Sequence, residues 1–416
     1  LKYLKKCKYY PVYPTLKLSY YISRLQICGS PSGIMPYYGE LHIRNTIIIV
    51  SLSLYLKSRR RRRMKKKFLA KVLSVMMAAA LLTGCGGGGS KDTDTAGGSS
   101  ESGSDVITVG FSQVGAESDW RTANSESMKS TFSEENGYKL IFDDAQQKQE
   151  NQITAIRNFI QQEVDYIVLA PATESGWDSV LQEAKDADIP VIIVDRMIDV
   201  SNDSLYTAWV GSDFKLEGQK ACEWLKAYAA SKDMKEINIV DIQGTIGSSA
   251  QIGRTEALNE AVEANGWNLL AQQTGEFTQA KGQEVMESML KQHDNINVVY
   301  CENDNEAFGA IDAIEAAGKK VGPDGDILVM SFDTTKAGIT DTLSGKIILN
   351  TECNPLHGPR VEEIIKKLEN NETPDKQAYV DEGIFAHGAD VDKVTVNGTD
   401  YTVTEVTEDV INGRAY

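Results

Sequence analysis

The sequence predicts an α/β protein of two doubly wound, mostly parallel sheets. Two observations carry that prediction. From Val106 onward, short β-branched runs alternate with helical patterns, which means right-handed strand–helix–strand units. Ten such strands are more than one ordinary sheet takes, so two sheets and hence two lobes are expected. The break is expected near Gly211-Ser212-Asp213, after which the pattern restarts with Ile237–Ile242.

Strands are predicted over 106–111, 138–143, 165–170, 190–195 and 206–210. After the break they fall at 236–242, 267–273, 297–302, 326–332 and 346–352. Helices are predicted over 120–135, 148–162, 176–187, 214–230, 249–265, 279–292, 305–317, 335–344 and 357–369. Gly137, Gly266 and Gly318 stand where helix C-caps belong. The halves are similar in plan without a residue-level repeat. The first lobe is expected to hold 106–211 plus 355–384, and the second 212–354 plus 385–416. Three crossings would join them near 211–213, 350–355 and 383–387.

The first 105 residues read differently. Met64 opens a signal-peptide pattern, with basic Lys65-Lys66-Lys67 and then apolar Phe68–Leu82, short for a membrane span. Leu82-Thr83-Gly84-Cys85 resembles a bacterial lipobox, so 64–84 would be removed and Cys85 lipidated. Gly86–Asp105 has no apolar residue but Ala96, which is the composition of a flexible tether over 85–105. Residues 1–63 end in five arginines directly before Met64. Arg codons of purine-rich type overlie where a bacterial ribosome-binding site belongs, so 1–63 is read as translated upstream sequence. A basic arm for nucleic acid or membrane is the rival reading, and it would bury the signal peptide internally.

Charge narrows the partners. Residues 1–84 carry 17 Lys/Arg and one acidic residue, Glu40, whereas the remainder carries 26 basic and 58 acidic residues. An acidic globular part argues against nucleic acid, whose phosphates need basic patches. Cys222, Cys301 and Cys353 have no regular spacing, and the four His (His42, His293, His357, His387) form no metal-spacing cluster. Packing is the expected role of all three Cys, with contact to the pocket by Cys301 or Cys353 as the alternative, since both fall near strand ends. No cofactor or metal is expected. The chain has no phosphate loop and no nucleophile elbow. Asp195 and Asp333 could be imagined as a glycosidase pair, but an Asp ion-paired with Arg makes a poor acid, so no enzyme is expected.

Polar and aromatic groups recur where strands end, the edge at which open α/β sheets bind ligands. Val191-Ile192-Ile193-Val194 runs into Asp195-Arg196, read as a side-by-side pair of acceptor and donor fork. The first exit gives Phe111, then Glu117, Trp120 and Arg121. The second half gives Arg254 after Gln243, then Phe277, Asn303, Asp333 and Glu352. Rings suit the C–H face of a sugar, while carboxylates and guanidiniums suit its hydroxyls. Each residue has a plainer reading: Asn303 as a helix cap, Asp333 as a turn residue, Arg254 as a surface charge.

From Val106 to about Phe385 the chain resembles the type I periplasmic binding proteins of sugar ABC transporters, most of all the galactofuranose-binding branch. The stretches that carry the resemblance are Val109-Gly110-Phe111-Ser112-Gln113-Val114-Gly115, Trp120-Arg121, Gln146-Gln147-Lys148-Gln149-Glu150-Asn151-Gln152, Val194-Asp195-Arg196, Gln243-Gly244-Thr245, Lys281-Gly282 and Asn303-Asp304. The resemblance implies the periplasmic-binding-protein-like type I fold. It implies that Asp195, Arg196, Arg254, Asn303 and Asp333 hydrogen-bond a monosaccharide. Trp120 and Phe277 would supply ring faces. Arg121 departs from ribose-type relatives and points to an added donor. Glu352 falls near a polar family position. The expected protein is a monomeric, extracytoplasmic lipoprotein on the outer face of the cytoplasmic membrane, handing a galactofuranose-like sugar to a permease. A sensor that feeds a signalling protein is the alternative.

Intact protein from the native host is expected to begin at Cys85 with added lipid mass. Mass spectrometry finding a terminus before Met64 would sink both the signal-peptide and the anchor reading.

Overall fold

The computed structural model describes residues 106–416. The expected leader, signal peptide, lipid site and tether lie outside the described residues. Residues 106–416 lie within one compact unit, and every core described below belongs to it.

The first sheet contains β1 (Ile107–Gln113), β2 (Tyr138–Asp144), β3 (Tyr166–Leu169), β4 (Val191–Val194), β5 (Ala208–Gly211) and β11 (Gln377–Tyr379). Their order is β11-β5-β4-β3-β1-β2, parallel throughout. Four helices flank it: α1 (Asp119–Thr131), α2 (Gln149–Gln161), α3 (Asp178–Asp186) and α9 (Gly358–Glu369). The strands alternate between two cores. Ile192 and Val194 face Met128, Phe132 and Ile365. Val191 and Ile193 face Ile156, Phe159 and Leu181. A strand covered on both faces needs a continuous apolar run, which is why these segments are legible. Each such Ile or Val stabilises the fold by roughly 1.5–3 kcal/mol.

The second sheet contains β6 (Asn238–Gln243), β7 (Asn268–Thr274), β8 (Val298–Cys301), β9 (Leu328–Asp333), β10 (Leu349–Glu352) and β12 (Ile384–Ala386), extended by β13 (Lys393–Val396) and β14 (Thr399–Glu405). Its order is β13-β14-β12-β10-β9-β8-β6-β7. Without β13 and β14 this repeats the first sheet position by position. Its helices are α4 (Phe214–Ser231), α5 (Ser249–Asn265), α6 (Gln279–Gln292), α7 (Asp304–Ala316), α8 (Lys336–Ser344) and α10 (Glu408–Gly413). Trp224, Tyr228 and Leu258 cover one face and Met286, Met289 and Ile311 the other.

The fold is therefore the predicted pair of parallel-sheet lobes. Every predicted strand and helix forms, with ends moved by a few residues. β11 to β14 and α10 are additions. The first two of these strands are three residues long, too short to show a period. The β13–β14 hairpin does carry a signal, Asn397-Gly398 with both residues in the left-handed region (φ 50° and 80°).

The chain passes from the first sheet to the second after Gly211, returns between Glu352 and Gly358, and crosses again between Tyr379 and Ile384. The third crossing comes earlier than 383–387, and Ile384 leaves the first lobe, because Ile384–Ala386 is claimed by β10 and β14. Among the described residues no helix is long and apolar enough to cross a membrane.

Gly211 shows why the first crossing sits where it does. A Cβ there would lie 2.0 Å from the Asp195 carbonyl oxygen and 2.7 Å from the Trp209 ring. Only glycine lets β5 pass this close to the end of β4. Gly211→Ala is expected to cost ~1–3 kcal/mol by overpacking and to displace Asp195. Urea unfolding checks it, and a loss under about 0.5 kcal/mol, as at ordinary surface sites, would contradict the packing argument.

Candidate functional site

The carboxyl ends of both sheets open on one cleft, and the lobes touch on its sides. Asp119 N–H donates to Asn305 Oδ1 at 3.0 Å, Glu174 N–H to the Gly247 carbonyl at 2.9 Å, and Met197 N–H to Ser249 Oγ at 2.9 Å. The cavity between them is tight, with about 20 Å³ of room for the centre of a water-sized molecule. Glu117, Trp120, Arg121, Asp195 and Arg196 line it from the first lobe, and Arg254, Phe277, Asn303 and Asp333 from the second. Sequence reasoning named all nine.

The backbone aims these groups at some expense. At the exits of β4, β7 and β9 the residues Asp195, Glu276, Phe277, Asp333 and Thr334 have φ between 52° and 100°. Non-glycine residues in this region cost of order 1–3 kcal/mol each and persist only where their surroundings hold them. Asp195 is held by its N–H to the Val210 carbonyl at 2.9 Å and by Trp209 Nε1 donating to its carbonyl at 3.1 Å. Phe277 is held by its N–H to Glu306 Oε1 and its carbonyl to Asn303 Nδ2. Its ring lies over Gly244, where a Cβ would come within 1.9 Å of it. The β9 exit is fixed through Asp304, which accepts from Ser331, Thr335 and Asn350. Burial still pushes the Asp304 carboxyl up to about 6.

Asp195 and Arg196 are not a pair with each other. Arg121 Nη1 donates to Asp195 Oδ2 at 2.8 Å and Arg121 Nε to Glu117 Oε1 at 3.0 Å. Arg196 Nε stands 3.9 Å from Asp195 Oδ2, beyond hydrogen-bond reach. It donates instead to the Ala172 carbonyl at 3.2 Å and lies 5.1 Å over the Phe277 ring. The left-handed turn at Asp195 sends the two side chains apart. Burial, with repulsion from Arg121, pushes the Arg196 guanidinium down to about 10. Arg121 is shifted upward, because Asp195 and Glu117 outweigh the cost of its burial. Arg196 is thus the least compensated cation in the cleft.

Arg254 pairs with Glu217, its Nε donating to Glu217 Oε2 at 2.9 Å, and its guanidinium lies between the rings of Phe332 and Phe214 at 4.7 and 5.3 Å. Its Nη2 is 3.7 Å from Asp333 Oδ1 and makes no hydrogen bond of good geometry among the described residues. Burial pushes the Asp333 carboxyl well above the usual range, against the pull of Arg254. Asn303 does the capping job of its plainer reading, accepting from Glu306 N–H at 2.8 Å. Trp120 donates from Nε1 to the Cys353 carbonyl at 2.7 Å, and its ring joins Phe214, Ala250, Phe277 and Cys353 in an apolar wall.

Two expected site residues lie elsewhere. Phe111 points from β1 into the core and meets Phe142 edge-on at 5.7 Å. An alternating strand cannot put both Phe111 and its neighbours' exits into the cleft. Glu352 binds the chain terminus, accepting from Arg414 Nη1, from Tyr416 Oη at 2.7 Å and from Gly383 N–H at 2.9 Å. Phe214, Ser118 and Ala250 line the cavity and were not foreseen as site residues. Cys353 lines it too, the alternative to its packing role, whereas Cys301 and Cys222 pack in cores. Phe214 follows the first crossing directly, which was the available signal.

Behind the wall, Asn124 Nδ2 donates to His357 Nδ1 at 2.9 Å and Gln113 Nε2 to Asn124 Oδ1 at 2.8 Å, while Gln113 Oε1 accepts from Arg121. Burial pushes His357 down to about 4, so it is neutral there at pH 7. Glu217, Cys353 and Glu382 are the one group of three potential metal donors found among the described residues, but Arg254, Ser212 and Asn354 already engage the two carboxyls.

Rings on the walls with convergent carboxyls and guanidiniums suit a small ligand with an apolar face and several hydroxyls. Residues 109–348 match the periplasmic binding protein domain, and the chain belongs to that family. It is 42% identical over 275 residues to the galactofuranose-binding protein YtfQ of Escherichia coli K12, covering 65% of this chain and 85% of the relative. A Mycobacterium smegmatis protein solved with β-D-fucofuranose is 43% identical, with a TM-score of 0.65 and coverage of 67% and 91%. The periplasmic component of an arabinose ABC transporter from Shewanella sp. ANA-3, bound to α- and β-L-arabinofuranose, is 42% identical, with a TM-score of 0.63 and coverage of 67% and 92%.

The ion pairs set an order of stability. Arg121→Met strands two buried carboxylates and is expected to cost ~3–5 kcal/mol in the ligand-free protein. Arg196→Met removes the least compensated cation, whose nearest carboxylate oxygens are 3.9 and 4.0 Å away, and is expected to cost under about 1 kcal/mol. Equal losses in urea unfolding would contradict this assignment of partners.

Proposed function

We propose that the cleft captures one neutral monosaccharide in a furanose form, galactofuranose or a close relative such as arabinofuranose, and delivers it to an ABC transporter permease. The cavity's lining carries this reading: it brings three rings, three guanidiniums and offsetting carboxyls together between the lobes, the mixture that a small polyhydroxylated ligand needs. Glu117, Asp195 and Glu217 stand against Arg121, Arg196 and Arg254, which favours a neutral sugar over a uronate. Arg196 is the expected chief donor to the sugar's oxygens. Trp120 and Phe277 are the expected ring faces. Asp195, Arg254, Asn303 and Asp333 complete the polar contacts. The relatives' ligands support the furanose form. The sugar leaves unchanged, since binding proteins, not enzymes, are the relatives found. The protein acts as a monomer, exported by residues 64–84, lipidated at Cys85 and spaced from the membrane by 85–105.

Residues 100–416, titrated with L-arabinose, D-galactose, D-fucose, D-ribose and galacturonate, test the reading through tryptophan fluorescence, because Trp120 lies in the wall. Saturable changes are expected with arabinose, galactose or fucose and not with galacturonate. No response to any aldose would remove the sugar assignment.

A further inference from the structure

The three crossings converge on two buried carboxyls that the cavity does not use. Ser212 in the first crossing donates from Oγ to Glu382 Oε1 at 2.7 Å. Asn354 in the second donates its N–H to the same oxygen at 2.7 Å. Glu382 itself is in the third. Glu217, on the first turn of α4, has one carboxyl oxygen on Arg254, while its Oε1 is buried with no donor among the described residues. One oxygen of each carboxyl and Cys353 Sγ lie within 4.8 Å of one another, and the two carboxyls are within hydrogen-bonding reach.

Two carboxylates cannot both stay ionised this close and this dry. A proton between them removes the repulsion and gives Glu217 Oε1 its missing donor. Glu382 Oε1 already accepts twice, so the proton belongs on Oε2. We propose that Glu217 and Glu382 share one proton as a carboxylic acid–carboxylate pair that clamps the three crossings and positions the Arg254 guanidinium at the cavity wall. Its second role rests on the reading of the cavity as the ligand site.

The surrounding charges agree. Arg254 from α5 faces Glu217. Lys220 from α4 donates to the Glu382 carbonyl at 3.0 Å. Asp333 at the β9 exit is pushed well above the usual carboxyl range by burial, and Cys353 is no anion, its thiol pushed up by burial and by both glutamates. Burial and the Glu217 charge hold the Glu382 carboxyl well above the usual range. A carboxyl raised in the folded state adds stability that is full at low pH and is lost as pH rises through the raised value. The pair therefore weakens on the alkaline side.

The test uses residues 100–416 with L-arabinose as the probe. Infrared difference spectra at pH 7 between the wild type and Glu382→Gln are expected to show a protonated carboxylic-acid carbonyl band. Glu382→Ala should weaken arabinose binding roughly tenfold or more, the effect of about 1.4 kcal/mol, and Glu382→Gln should restore it, because the amide keeps a donor at Oε2. Wild-type affinity and melting temperature should fall as pH rises above neutral, and those of Glu382→Gln should stay flat. Absence of the acid band, loss of binding in a folded Glu382→Gln at pH 7, or one zinc ion per chain that this variant lacks would each overturn the pair. If neither protein binds arabinose, the sugar reading falls, and the band with the melting profile still decides the pair.

Discussion

Burial of charge where the two sheets meet governs the rest of this molecule. Arg121, Arg196 and Arg254 are each no more than 3% exposed, and Asp195, Glu217 and Asp333 no more than 5%. Ions taken this far out of water stay charged only beside an opposite charge or a strong hydrogen bond. The local architecture follows that requirement. The left-handed turn at Asp195, for which Gly211 makes room, brings its carboxylate to Arg121, and the first crossing brings Glu217 to Arg254. Arg196 is the exception, and a cation left short of acceptors in a cavity wall is a place for a ligand's oxygens.

Much of this was legible in the chain, for identifiable reasons. Runs such as Val191–Val194 announce strands covered on both faces. Asp195, Asn303 and Asp333 announce the cleft because they stand at strand exits, and Arg254 because its helix follows one. The pairing was not legible. Adjacent Asp195 and Arg196 look like partners, but one residue with φ of 63° turns one toward Arg121 and the other toward Phe277. Phe111 failed for the opposite reason: its neighbours' motif drew it into the site, while its place in β1 put it in the core. Glu217 looks like an ordinary acidic residue in a helix's first turn. Only the meeting of three distant crossings makes it a buried partner.

The plan of the halves explains where the strain sits. Strands β4 and β9 occupy equivalent places in their sheets, as do β2 and β7. Left-handed residues follow all four: Gln146-Gln147, Asp195, Glu276-Phe277 and Asp333-Thr334. The same backbone solution recurs although the residues differ. A duplicated architecture thus conserves how side chains are aimed while leaving their chemistry free. The first lobe spends its positions on a carboxylate beside guanidiniums, the second on a ring and a carboxyl, and a cleft between them gains two unlike walls.

Strain of this kind needs an opposing force, and the cleft supplies it from behind. Asp304 ties Ser331, Thr335 and Asn350 into one knot under Asp333. Glu302 accepts the Gly244 N–H at 2.8 Å and bonds Thr255, steadying the loop on which Phe277 rests. Gln113 and Asn124 link Arg121 to His357, just beyond the second crossing. These supports are buried polar groups with almost every bond satisfied, which fixes one arrangement more firmly than apolar packing would. A hinge movement would therefore carry each wall as a rigid piece, with the change absorbed at the three crossings. That is why a proton held between Glu217 and Glu382 matters to the cavity: it sits where the three crossings are joined.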